Sequence, residues 1–590
     1  MKSLGANKTR QAKRLHQPDF AKRRRALFII MGLVALALVG QTSARQVFQT
    51  EFLQKEGARR YLRNIEIPAD RGMILDRNGE RLAVSIPVDT VWADPRELIL
   101  DGEKDEALKA KRAEELKVGL PRLAKVLEMK PKELSELLEH NKERGFLYLK
   151  RRVGPEVAEA VRTLGLPGVQ LYKEYRRFYP AAEVAAHVVG FTDVEDKGQE
   201  GLELTFDTDL SGRPGKKRIL RDGKRRIVQD LEEVRPARPG KRLELSLDLR
   251  LQYLTYRALK SAVDENKAIG GTAVLLDAKT GEILAMVNQP SYNPNGNRAR
   301  DGGRLRNRSV TDIFEPGSTV KPFIAAAALE SGRYRPNTAV NTSPGFMRVG
   351  AGTVRDVHNY GPQDVTGVIR KSSNVGVAKM ALDLGPQKVW DIYSRIGLGQ
   401  PLATGFPGEG GGKLSDPKRW KLFDQAVHAF GYGITVNALQ LARAYSVLAN
   451  DGRLVQPSFF KQSEPAFKEV MSPQVAQQIR AMLEEVVSAQ GTAQQAAVPG
   501  YRVGGKTGTA KKVINGRYAD KAYQAVFAGM APMSDPRLVM VVMVDEPRGG
   551  KYYGGLVAAP VFSQVMVVAL RLMQIPPDQS GSEQLQLVKK

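Results

Sequence analysis

The chain contains no cysteine in 590 residues. Disulfides, thiolate metal sites and cysteine nucleophiles are excluded, but the compartment stays open, because an oxidising space permits disulfides without requiring them. Histidine is scarce, five in all, and none stands in an obvious triad, so a serine nucleophile would need a different base. Acidic residues fall short of basic ones, 64 against 90, for a formal charge of +26. That surplus favours an anionic partner such as a membrane surface, nucleic acid or an acidic polymer. At roughly 100 to 200 residues per domain, the length calls for at least two domains.

Compartment is read from the N-terminus. Ala26 to Gly40 is an uncharged apolar run that reaches Ala44 through Gln41, Thr42 and Ser43, and residues 26–44 would span roughly 28 Å as a helix, close to the hydrocarbon thickness of a bilayer. The 25 residues before it carry nine Lys or Arg against one acid, Asp19. By the positive-inside rule residues 1–25 form a cytoplasmic basic tail, 26–44 a membrane anchor, and the rest is exported. The asymmetry is imperfect, since Arg45, Lys55, Arg59, Arg60 and Arg63 follow the run. Thr42-Ser43-Ala44 also fits a cleavage site, so a cleaved leader is the alternative. Either way, nucleic acid is disfavoured as a partner.

Beyond the membrane, Ile65 to Glu80 reads as an extended run closed by a tight Asn-Gly turn, with a strand at Leu82–Ile86. Residues 103–140 have the spacing of amphipathic surface helices. Pro155–Leu164 reads as a helix, Val169–Tyr175 as a strand, and Gly198–Glu203 as a turn into another helix. The basic, proline-bearing stretch Arg235–Arg242 marks a boundary near residue 238. After it come a strand at Leu243–Leu247, a helix at Leu249–Val263, and strands at Thr272–Asp277 and Glu282–Asn288 joined by a turn. Helices and loops fill most of 318–490, and strands return at Tyr523–Gly529 and Leu538–Val544. Strands at both ends with helices between them predict one sheet built from distant segments, an α+β domain of roughly 330 residues. The stretch 575–590 is polar and is expected to be a disordered tail.

Three short motifs stand in order along this second domain: Ser318-Thr319-Val320-Lys321, Ser372-Ser373-Asn374 and Lys506-Thr507-Gly508-Thr509. Each has a twin elsewhere. Ser-x-x-Lys recurs at Ser415 and Ser458, Ser-x-Asn at Ser291, and Lys-Thr-Gly at Lys279. Only Ser318 is followed by both other motifs, and Lys279 falls in the turn between two strands.

The chemistry these residues offer is acyl transfer. Pro316-Gly317 should let a helix begin near Ser318 and run through Phe323–Leu329 to about Gly332, with Pro322 in the first turn, where backbone donors are unpaired anyway. An offset of three puts Ser318 and Lys321 on one face, within reach of each other. The helix dipole and the apolar segment both disfavour an ammonium there, so Lys321 can serve as the base. Ser372 and Asn374 lie between helix-like segments at Val365–Arg370 and Val375–Leu384. Ser372 offers a second hydroxyl as proton relay and Asn374 an amide for a peptide substrate. Lys506 opens a strand whose glycines allow close approach to a ligand, and a cation beside hydroxyls suits a carboxylate.

These motifs resemble those of the penicillin-recognising acyl-serine enzymes. With Ser-Ser-Asn in the middle the chain is most similar to the class B penicillin-binding proteins, and among them to the division-specific transpeptidases. Arg71–Gly79, Arg177–Pro180, Gly198–Glu203, Phe314–Pro322, Phe430–Gly433, Asp545–Pro547 and Tyr553–Gly555 all look like that family. The resemblance implies a single membrane helix, an elongated mixed α/β pedestal of dimerisation type over 45–238, and a transpeptidase domain over 239–574 with a mainly antiparallel sheet flanked by helices.

It also implies roles. Ser318 would attack the carbonyl between two terminal D-alanines of a peptidoglycan stem peptide, with Lys321 as general base and Ser372 passing the proton to the leaving group. Backbone N–H groups of Ser318 and Thr509 would form the oxyanion hole. Lys506, Thr507, Gly508 and Thr509 would hold the terminal carboxylate, and Asn374 the stem-peptide amide. No metal or cofactor is required. A second stem peptide would resolve the acyl-enzyme into a crosslink, and β-lactams would acylate the same serine. No glycosyl-transfer domain is recognisable before residue 240, so an FtsW-type glycan polymerase and other division membrane proteins are the implied partners, at the septum of the inner membrane with the catalytic domain periplasmic. An elongation-type transpeptidase, a water-using carboxypeptidase or β-lactamase, and a non-catalytic penicillin-binding sensor or scaffold are the competing readings.

Overall fold

The structure, a computed structural model, describes residues 20–48, 50–99, 106–221, 227–296 and 302–579. Most of the basic leader (Lys2, Lys8, Arg10, Lys13 and Arg14 included), residues 103–105 of the expected surface helices and the tail 580–590 lie outside the described residues. The chain forms two compact units, one made of residues 1–67 and 214–237 and the other of 68–213 and 238–590.

In the first unit the apolar run is helical as α1, Phe20–Ser43. It is long and apolar enough to cross a membrane, and none of its residues is buried against protein. The same unit holds a three-stranded antiparallel sheet of β1 (Leu62–Ile67), β6 (Gly215–Arg221) and β7 (Ile227–Arg235), with β6 in the middle.

The second unit opens with a mixed region. Here β2 (Ile74–Leu75) and β3 (Arg81–Ala93) flank the expected tight turn, in which the Asp76 carboxylate accepts the backbone N–H of Asn78 and Glu80. Strand β3 runs well past the predicted Ile86 because it pairs with β5 (Val169–Phe178) from Val84 to Ala93 and with β4 (Leu147–Val153) near its end. Helices α2 (Glu106–Val126), α3 (Pro131–His140) and α4 (Pro155–Leu164) bury a small apolar core with Val91, Ala93, Leu149 and Val153. Three separate segments meet in one buried ion cluster. Glu203 receives Arg71 Nε at 2.6 Å on one carboxylate oxygen and Arg177 Nε at 2.7 Å on the other, and all three residues are buried.

The rest of this unit is a layered α/β/α arrangement. Helix α5 (Leu249–Glu265) leads into the hairpin β8 (Gly270–Asp277) and β9 (Ile283–Gln289). Much later in the chain come β12 (Gly504–Ile514), β13 (Arg517–Ala531) and β14 (Leu538–Asp545). They assemble in the order β9-β8-β14-β13-β12, every neighbouring pair antiparallel. Both β8 and β14 are buried along their whole length, which is why they read as continuous apolar runs and not as alternating ones.

Between the two sets of strands lie α6 (Lys321–Glu330), the short hairpin β10 (Phe346–Val349) and β11 (Gly352–Arg355), α7 (Val365–Lys371), α8 (Asn374–Leu384), α9 (Ala438–Ala449) and α10 (Pro473–Val487). The last helix among the described residues is α11 (Ala559–Leu572). α5 and α11 cover one face of the sheet and α9 the other. α9 has every residue buried, including Gln440, Arg443 and Ser446, each of which hydrogen-bonds to a backbone carbonyl.

Two further expectations change. Leu243–Leu247 forms only a two-residue strand, Leu243–Glu244, parallel to β2, because β2 is itself only two residues long. The expected disordered tail is tethered at its start. Tyr501 donates to Ile575 O at 2.7 Å, Asp578 accepts the N–H groups of Arg502 and Ser534, and Gln579 N–H reaches Gly500 O.

The ion cluster makes a stability prediction. Glu203→Ala leaves two buried guanidinium groups without their shared carboxylate, and should cost about 3–5 kcal/mol in thermal or denaturant unfolding. The less drastic Glu203→Gln should lose less, because its amide oxygen still accepts a guanidinium N–H.

Candidate active site

The segment carrying Ser318 differs from the simple helix expected. Gly317–Val320 form one 3-10 turn and the α-helix starts at Lys321. Gly317 enters the turn at φ +54°, a conformation glycine adopts without the penalty of a side chain. With about three residues per turn, positions 318 and 321 come into line more closely than in an α-helix. Ser318 is half-buried, whereas Lys321 is completely buried.

Lys321 Nζ reaches three acceptors: Ser372 O at 2.6 Å, Asn374 Oδ1 at 2.7 Å and Ser372 Oγ at 3.2 Å. An ammonium has three N–H bonds and uses all of them here. Burial, and then the nearby Lys506 cation, push the Lys321 amine well below its ordinary range, while Asp356 pulls it partly back. A neutral amine keeps two N–H bonds, which the two carbonyl oxygens would hold. Its lone pair is then left for a hydroxyl.

The segment that supplies those acceptors is held from outside. Ser372 ends α7 in the left-handed region at φ 61°, a position where a non-glycine residue costs of order 1–3 kcal/mol. Ser373 caps α8 through Gly376 N–H at 2.8 Å. Asp356, just past β11, accepts Ser373 Oγ at 2.6 Å, Val375 N–H at 3.0 Å and Asn374 N–H. The preceding residue completes the grip, because Asn374 Nδ2 donates to Arg355 O at 2.8 Å. Both ends of the Asn374 amide are thus fixed.

The third segment is the edge strand β12. Lys506 is completely buried, and burial pushes its amine down to about 7. Gly508 passes the Ser318 turn so closely that a Cβ would lie 2.9 Å from Pro316 O. Thr507 Oγ1 shares a 2.9 Å hydrogen bond with Thr492 Oγ1, and Thr509 Oγ1 accepts Gly554 N–H at 3.1 Å. Thr509 N lies 3.8 Å from where a Cβ on Gly317 would sit. On the other flank, Gly431 at φ +85° contacts Gly317, where a Cβ would fall 2.2 Å from Gly317 O.

The structure therefore gathers all three motifs. A half-buried serine, two buried amines and backbone N–H groups around them are the parts that serine acyl transfer can use. The twin motifs make structural bonds elsewhere instead. Ser415 Oγ accepts Trp420 Nε1, Ser458 donates to Phe460 O, Ser291 donates to Glu183 O, and Lys279 sits in the β8–β9 turn paired with Asp535. Asp356 and Thr492 went unread in the sequence. No local pattern marks them, since each acts on a residue 15 to 19 positions away through tertiary packing.

Comparison with known proteins agrees with this architecture. Residues 271–567 match the family model of the penicillin-binding protein transpeptidase domain, and residues 66–245 that of the penicillin-binding protein dimerisation domain. The chain belongs to the class B penicillin-binding proteins. It is 42% identical over 582 residues to the Escherichia coli peptidoglycan D,D-transpeptidase FtsI, covering 97% of this chain and 96% of that protein. It is 43% identical over 547 residues to a probable peptidoglycan D,D-transpeptidase, PbpC, of Pseudomonas aeruginosa, covering 92% and 94%. The solved transpeptidase domain of Burkholderia pseudomallei penicillin-binding protein 3 superposes with a TM-score of 0.53 at 44% identity, over 57% of this chain and 98% of that one.

Asp356 is the test of the grip on Ser372 and Asn374. Asp356→Ala should slow acylation by a fluorescent penicillin on the order of tenfold to a hundredfold, the scale of lost hydrogen bonds to a charged group. Asp356→Asn, which keeps an acceptor for the two N–H groups, should lose less.

Proposed function

We propose that the chain is a peptidoglycan D,D-transpeptidase that crosslinks stem peptides through an acyl-enzyme on Ser318, in septal wall synthesis. The observation that carries the reading is the completely buried Lys321 amine, held by Ser372 and Asn374 one turn from Ser318 and beside a second buried cation. Burial and the second cation both favour the neutral form of such an amine, which can accept the serine proton.

Ser318 Oγ attacks the carbonyl between the two terminal D-alanines as Lys321 takes its proton. The N–H groups of Ser318 and Thr509 hold the developing oxyanion, a contact of a kind typically worth about 3–4 kcal/mol. The C–N bond then breaks, and the proton passes by way of Lys321 and Ser372 to the departing D-alanine amine. An amine of a second stem peptide attacks the acyl-serine, forms the crosslink and releases Ser318. Lys506 with Thr507, Gly508 and Thr509 receives the terminal carboxylate, and Asn374 the stem-peptide amide. β-Lactams place a strained amide in the same position.

The septal assignment is supported by the FtsI relative. We place the N-terminus in the cytoplasm and the catalytic domain in the periplasm, on the charge asymmetry around α1. An FtsW-type glycan polymerase and other division membrane proteins are the proposed partners. Depletion should give filaments; round cells would instead assign the chain to elongation.

Intact-mass spectrometry after penicillin treatment should find one penicilloyl adduct, mapped to Ser318 and absent in Ser318→Ala. An adduct elsewhere would remove the assignment. Acylation should also follow a bell in pH. The acid limb rises as Lys321 loses its proton, below the ordinary lysine range, and the alkaline limb falls as pH rises through about 7 and Lys506 loses its charge. Lys506→Arg keeps a permanent cation, so its alkaline limb should vanish while the acid limb stays.

A further inference from the structure

The Ser318 turn contains a backbone difficulty that its own sequence creates. Its 3-10 bonding proceeds as far as Lys321 N–H donating to Ser318 O. The next donor in that register would be the N–H of residue 322 toward Thr319 O, but residue 322 is proline and has none. Thr319 is completely buried, so water is not at hand for its carbonyl, and a buried carbonyl without a donor is costly. The missing donor comes from α9, where Tyr445 gives its hydroxyl to Thr319 O at 2.6 Å. Tyr445 is itself completely buried, with its ring edge-on to Phe323 at 5.6 Å. Burial holds its phenol proton well above the ordinary range, so the hydroxyl remains a donor at any working pH.

The neighbouring turn is braced in the same manner. Gly317 N–H donates to Gly431 O at 3.3 Å, and Gly431 N–H donates to His428 O at 3.1 Å. The buried Tyr393 hydroxyl donates to that same His428 carbonyl at 2.8 Å. One phenol therefore acts directly on the turn that presents Ser318, and the other acts one turn removed.

We propose that Tyr445 is a positioning residue for the reaction at Ser318. By supplying the donor that Pro322 lacks, its hydroxyl fixes the Gly317–Val320 turn and with it the direction of Ser318 Oγ and of the Ser318 N–H. The inference rests on the reading of Ser318 as nucleophile. A tyrosine that merely filled the core would act on stability alone, and phenylalanine would replace it with little effect on chemistry.

The test uses the full chain in detergent micelles and a fluorescent penicillin, with rapid kinetics separating the dissociation constant of the first complex from the acylation step. Tyr445→Phe keeps the ring and removes the donor. The acylation step should slow by roughly tenfold or more, about 1.4 kcal/mol of barrier per tenfold. Binding should stay within about twofold and the pH midpoints should not move, because the Lys321 surroundings are intact. Tyr393→Phe should show a smaller effect of the same kind. Pro322→Ala restores an N–H at the required register, so adding it to Tyr445→Phe should recover most of the lost rate.

An unchanged acylation step in Tyr445→Phe, a parallel loss of binding, or no recovery in the double variant would each overturn the proposal. If Tyr445→Phe alone did not fold, the double variant should fold and acylate within about threefold of Pro322→Ala, and its failure to fold would count against the idea equally. Wild-type chain that formed no adduct at Ser318 would remove the functional reading itself. Acylated wild type with an indifferent Tyr445→Phe removes only this inference.

Discussion

Two lysine amines, Lys321 and Lys506, are buried close enough to repel each other, and the rest of the site is organised around that constraint. Taking one ammonium out of water is costly, and two adjacent ones more so. Asp356 is the one carboxylate that raises the proton affinity of Lys321, and its oxygens are already occupied by Ser373 and by the start of α8. The pocket is therefore short of negative charge by design. A neutral Lys321 and an incoming carboxylate on Lys506 are the two ways of relieving it, and the acyl transfer proposed above, to a peptide ending in a carboxylate, would use both.

Precision in such a pocket cannot come from the three motifs alone, because each sits where the backbone is awkward. Ser372 is left-handed at a helix end, Ser318 sits in a 3-10 turn against a proline, and Gly508 passes with no room for a side chain. Each irregularity is held from a distance: Asp356 and Arg355 for the middle segment, Tyr445 and Gly431 for the serine turn, Thr492 and Gly554 for the edge strand. The layered core supplies the rigidity behind them, since β8, β14 and α9 are buried throughout.

Much of the scaffold was legible in order. Helix Pro155–Leu164 falls where its spacing places it, the β8–β9 hairpin follows from two apolar runs around Lys279-Thr280-Gly281, and α1 covers the apolar run. Other readings stopped short. β3 extends beyond Ile86 because two distant strands pair with it, and Ile575–Gln579 is tied down by Arg502 and Ser534, which lie 76 and 44 residues from Asp578. Neither partner leaves a trace in the local pattern.

By itself the sequence determined the chemical parts: a serine three residues before a lysine, a second hydroxyl and an amide, a strand that opens with lysine and glycine, and an apolar run able to anchor the chain. Spacing within a turn and residue type carry that information, since both act over a few residues. Tertiary structure alone decided that the parts converge, that both amines lose water, and that Asp356 and Tyr445 bond the segments carrying Ser372 and Ser318. Desolvation and hydrogen bonding depend on what packs from other elements, and that is set by the five-stranded sheet and its covering helices.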